Sequence, residues 1–100
     1  MNAIPLRDLQ KQIHDNARNH GWWETQRPVP EILCLIHSEV SEALEAYRNQ
    51  DIDNFREELA DIAIRLLDAA EGYGINLYEE IIKKHEINKG RPYRHGGKKC

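Results

Sequence analysis

Residues 59–70 read Leu-Ala-Asp-Ile-Ala-Ile-Arg-Leu-Leu-Asp-Ala-Ala, apolar on almost every side if the segment is a helix. A helix of that kind is normally buried all round. A thin polar stripe interrupts it, because Glu58, Asp61, Arg65 and Asp68 recur at i, i+3, i+7 and i+10. A chain of 100 residues is near the size at which a single core is only just adequate. One copy therefore has too little material to cover this segment. The expected form is a homo-oligomer, either a homodimer or a homotetramer built as a dimer of dimers.

The rest of the chain fits an all-α architecture. No stretch shows the period-2 alternation of a half-buried strand, and Gly and Pro punctuate four helical segments. The first spans about 5–20, with Leu6, Leu9, Ile13 and Ala17 at helical spacing and Gly21 as its stop. A loop over 21–30 holds Trp22, Trp23, Pro28 and Pro30. The second helix spans about 31–49 and the third about 54–71, with a short turn between them. The fourth spans about 77–89, and Asn76 with Glu79 reads as a variant of the capping box. The expected fold is a bundle of four main helices in a single domain over residues 1–100, ending in a basic, mobile tail over about 92–100. No apolar run reaches the ~18 residues of a membrane span. Met1–Leu9 does not read as a secretion signal, and two thiols, Cys34 and Cys100, do not make a disulfide framework. A reducing cytoplasm is the expected setting.

Charge is distributed unevenly beneath a net value of −3. Residues 31–80 carry thirteen acidic and three basic side chains, whereas residues 81–100 carry seven basic and one acidic. The acidic middle would repel a phosphate backbone, so a nucleic acid polymer is not the expected partner. A small polyanion held by Lys and Arg beside a carboxylate-bound cation suits the pattern better.

Two helices each carry an acid pair one turn apart, Glu39 with Glu42 and Glu58 with Asp61. Spacing of i, i+3 puts each pair on one helix face. Antiparallel packing of the second and third helices brings the four acids together. Four carboxylates at close range repel strongly in a low dielectric, and a cation removes the conflict. Hard oxygen donors select Mg²⁺ or Mn²⁺. Other metal chemistries lack their ligands. None of the five histidines has an acid three residues before it, as di-iron bundles require, and no His-Glu-x-x-His pattern occurs. The competing reading makes the acids solvated helix faces, or an ion-pair stripe in which Arg65 answers Asp61 or Asp68.

The order Glu-x-x-Glu, fifteen residues, Glu-x-x-Asp resembles the MazG-like branch of the all-α nucleoside triphosphate pyrophosphohydrolases. The matching residues are Glu39-Val40-Ser41-Glu42 and Glu58-Leu59-Ala60-Asp61. The phrase EELADIAIRLLD at 57–68 and the late segment KHEINKGRPYRHGGK at 84–98 are similar to that family too. The likeness covers roughly residues 31–98.

The resemblance implies a Mg²⁺-dependent enzyme that cleaves a (d)NTP to the (d)NMP and pyrophosphate, in house-cleaning of the nucleotide pool. It implies metal ligation by Glu39, Glu42, Glu58 and Asp61, with Glu39 or Glu42 taking the proton of the attacking water. Lys84 and Asn88 match the family's nucleotide contacts, with Arg91 and Arg94 as weaker matches. A pocket built where subunits meet would let the basic tail serve a neighbouring acid cluster. Lys84, Asn88 and Arg91 lie at i, i+4 and i+7, a spacing that also fits a basic last turn complementing the helix dipole. Trp22 and Trp23 offer aromatic faces to a base, with one of them alternatively plugging the bundle. The rival readings are an enzyme like phosphoribosyl-ATP pyrophosphohydrolase and a non-catalytic helical interaction module.

Overall fold

A computed structural model describes residues 3–92. Most of the expected basic tail, Arg94 included, lies outside the described residues. The order is α1 (Leu6–Asn19), α2 (Val29–Arg48), α3 (Ile52–Gly72) and α4 (Leu77–Lys89), with no strand among the described residues. No described helix is long and apolar enough to cross a membrane.

The helix ends follow local chemistry. α2 starts two residues before the expected position, because Pro30 fits its first turn, where the missing N–H has no intrahelical partner to lose. The turn into α3 puts Gln50 at a φ of 59°, and Asp51 then caps α3 by accepting from the Asn54 N–H at 3.2 Å. Asn76 caps α4 in the same way, accepting from the Glu79 N–H at 3.2 Å.

α3 is the hub. α2 packs antiparallel along one side of it and α1 along another, while α4 touches only α1 and α3, and lightly. Along the α2–α3 hairpin, Ile32 is buried beside Ala69 and Ala70 at the open end, and Ala43 and Ala46 are buried towards the turn, Ala46 beside Asn54 and Glu58.

Polar anchors tie α1 and the Trp loop to α3. Gln10 is fully buried, and its Nε2 donates to Glu71 Oε1 (2.9 Å) and to the Ile75 carbonyl (2.8 Å). Arg7 also pairs with Glu71 and, as the chief cause, holds that carboxyl below its ordinary range. The Trp23 Nε1 donates to both oxygens of Asp68 at 2.9 and 3.1 Å. His14 Nδ1 donates to Asp68 at 2.8 Å, and the Trp23 ring meets His14 and Tyr73 edge-on. The indole lies so close over Gly72 that any Cβ there would sit 2.4 Å from a ring carbon.

One chain does not supply the burial that its third helix calls for. Leu59, Ile64 and Leu66 of α3 remain 44–49% exposed, and α4 has no buried residue at all.

Candidate metal centre

The antiparallel α2–α3 hairpin brings Glu39 from one helix to Glu58 and Asp61 from the other. One oxygen from each lies within 4.8 Å of the others. Glu39 is buried, Glu58 half-buried and Asp61 exposed, so the group opens to solvent on its Asp61 side. Glu42, one helical turn beyond Glu39, lies outside this trio but close enough for its carboxyl to act on Glu39 and Glu58. It is exposed, and shares with Glu58, Glu45 and Asp51 a shallow cleft of about 270 Å³.

The electrostatics of the trio are divided. Arg65 Nε donates to Glu39 Oε1 at 2.8 Å. That bond is the main reason why the Glu39 carboxyl lies below its ordinary value, against the opposing effect of burial. Glu58 moves the other way, pushed up to about 7 chiefly by the adjoining Glu39 carboxylate, then by burial and by Glu42. Its Oε2 is buried with no hydrogen-bond partner. A lone buried carboxylate oxygen facing two further acids is an unbalanced arrangement. The donor set is all hard oxygen, as Mg²⁺ or Mn²⁺ prefers. These residues therefore fit a divalent cation by their chemistry.

Arg65 does not answer Asp61 or Asp68, the two partners its helix spacing suggests. It reaches across to α2 and takes Glu39, while Asp68 is engaged by His14 and Trp23. Only the cross-helix register reveals this pairing, and no local spacing in the sequence carries it.

The two tryptophans separate. Trp23 turns into the molecule and is held by Asp68, as described above. Trp22 remains 36% exposed and lines a cleft of about 570 Å³ together with Ile13, His20, Asp61, Arg65 and Asp68. The guanidinium carbons of Arg27 and Arg65 lie 4.4 and 5.1 Å from its ring centroid. One aromatic face thus shares a cavity with an acid of the trio.

Lys84, Asn88 and Arg91 are exposed on and just beyond α4. Neither cleft lined by the acids includes a residue of α4, so a single chain does not bring this basic group to them. Gln10 and His14, which fix α1 against α3, drew no attention in the sequence. A buried Gln and an Asp-bound His carry no spacing signal. No protein-family model, curated protein or solved structure is matched by this chain.

Proposed function

We propose that this chain is a divalent-metal-dependent nucleoside triphosphate pyrophosphohydrolase, releasing pyrophosphate and a (d)NMP from a (d)NTP. The observation that carries the reading is the convergence of Glu39, Glu58 and Asp61, with Glu58 Oε2 buried and without a partner. Glu39, Glu58 and Asp61 would hold Mg²⁺ or Mn²⁺, with Glu42 at the open edge. The ion supplies charge neutralisation for phosphate oxygens and acidifies a bound water. Of the two α2 acids, Glu42 suits proton acceptance better. It is exposed, whereas Glu39 is buried and tied to Arg65.

Trp22, exposed in the cleft beside Asp61, would stack on a nucleobase, a contact of ~1–3 kcal/mol in stacking systems. Lys84, Asn88, Arg91 and Arg94 would meet the phosphates across a subunit boundary. The 570 Å³ cleft beside an acid is of a size that takes a small molecule, which supports this reading.

The test is a pyrophosphate-release assay on the purified chain, with Mg²⁺ or Mn²⁺, against the standard ribo- and deoxyribonucleotides and phosphoribosyl-ATP. Release should need the metal, and both Glu58→Gln and Asp61→Asn should abolish it while the helical circular dichroism spectrum persists. If no substrate yields pyrophosphate and neither metal raises the melting temperature, the reading is wrong.

A further inference from the structure

We propose that Arg65 is the built-in counter-ion of the acid cluster, balancing it in the metal-free chain and opposing the divalent cation that joins it. The inference rests on the metal reading above and deepens it. The acids around Glu39 converge from two helices, and nothing but Arg65 supplies positive charge to them by direct contact among the described residues. Its bond to Glu39 is cross-helix, 26 residues away in sequence, at 2.8 Å. Glu39 is the most buried member of the trio, so the arginine sits at the point where uncompensated charge would cost most.

The geometry of Arg65 also leaves room for a cation beside it. Only its Nε is engaged with Glu39, through a single Glu39 oxygen. A carboxylate has further lone pairs, so Glu39 can take a cation without first losing the arginine. The rest of the guanidinium lies 5.1 Å from the Trp22 ring centroid and lines the same cleft as Asp61. Arg65 is therefore supported by the Trp22 ring while it holds Glu39, partly shielded from water. A fixed positive charge beside a divalent ion lowers the affinity for that ion, and the same charge stabilises the cluster when the ion is absent.

A purely orienting role makes the opposite forecast. If Arg65 served only to aim Glu39, its loss would loosen metal binding. The sign of the change in affinity therefore decides between the two.

Mn²⁺ binding is measured by isothermal titration calorimetry on the full chain, and thermal unfolding is followed with and without Mn²⁺. Arg65→Gln keeps an N–H donor and removes the charge. Arg65→Lys keeps the charge and removes the planar fork. Arg65→Gln should melt at a lower temperature than wild type without metal, bind Mn²⁺ about tenfold more tightly, and show a larger Mn²⁺-induced rise in melting temperature. Arg65→Lys should stay close to wild type in affinity. An Arg65→Gln protein that folds only when Mn²⁺ is added also supports the proposal. Unchanged or weaker Mn²⁺ binding by Arg65→Gln overturns it, as does a variant that stays unfolded at saturating Mn²⁺. Absence of Mn²⁺ binding by wild type and both variants overturns the metal reading itself, a result distinct from failure of the arginine's role.

Discussion

Glu58 holds the electrostatic conflict of the cluster in one side chain. Its carboxyl stands near 7 in the folded chain against an ordinary value of 4.5. The metal-free folded state therefore binds more protons than the unfolded state across that interval. By linkage, this group's effect on stability turns unfavourable as pH rises through the window and is fully unfavourable above it. Glu39 and Glu71 act in the other sense. Their folded values are lowered, by Arg65 and Arg7 respectively, so their stabilisation is present above the ordinary carboxyl value and is lost on acidification. Replacing Glu58 with Gln removes the first effect and leaves the Arg65 and Arg7 contributions to Glu39 and Glu71 in place. Urea midpoints of wild type should fall relative to those of Glu58→Gln between about pH 5 and about pH 7. A constant difference between the two proteins across that range would mean that Glu58 does not carry the raised value. Saturating Mn²⁺ should remove most of the difference in slope, since a cation favours the ionised form.

At the level of elements, the junction between the α1–α2 loop and α3 depends on one missing side chain. Gly72 ends α3 directly under the Trp23 indole, where a Cβ would meet ring carbons at 2.4–2.8 Å. The ring cannot retreat easily, because its Nε1 is fixed on Asp68. In an unobstructed helix, replacing Gly by Ala gains up to ~1 kcal/mol. Here the overlap should reverse the sign, with a loss of about 1–3 kcal/mol for Gly72→Ala. The matching change Gly90→Ala meets only the Ile87 carbonyl at 3.6 Å and should be nearly neutral. Chemical denaturation followed by Trp fluorescence compares the two. Equal stability of both variants would show that the loop does not rest on α3 as described. The same junction marks where the sequence stops being informative. The four helices are legible because Gly, Pro and capping residues punctuate apolar repeats of the right period. The meeting of Glu39, Glu58 and Asp61 is legible because i, i+3 pairs on two helices joined by a short turn share one face. The division of labour between Trp22 and Trp23 is not legible. The residues are adjacent in an aperiodic loop, and the space over Gly72 decides between them. The choice of Glu39 by Arg65 is hidden for a related reason, since local spacing offers Asp61 and Asp68 equally well.

The whole molecule has more apolar surface than one copy can use. Its radius of gyration is 16.0 Å, against about 13 Å for a compact domain of this length. The excess is organised rather than scattered. Leu33, Val40, Leu44 and Tyr47 form a stripe along α2, and Ile52, Leu59 and Leu66 form another along α3, all 44–63% exposed. The antiparallel register lays the stripes side by side, and Leu33 and Leu66 already line one wholly apolar groove with Ile36 and Ala70. A patch of this kind is a liability on a monomer and an ordinary feature of a helix-on-helix interface. A second copy presenting the same hairpin would pair with it about a two-fold axis, and α4 would then be free to carry Lys84 and Asn88 towards the acids of its neighbour. The expected state is a dimer or larger by sedimentation equilibrium, with a melting temperature that rises with protein concentration. A charge in the centre of the face, as in Leu59→Glu, should shift the population to monomer and lower the melting temperature. If that variant is as oligomeric as wild type, this face is not the interface. If wild type sediments as a monomer at every concentration, the phosphate-binding groups of α4 have no route to the acid cluster, and the composite site proposed above fails with it.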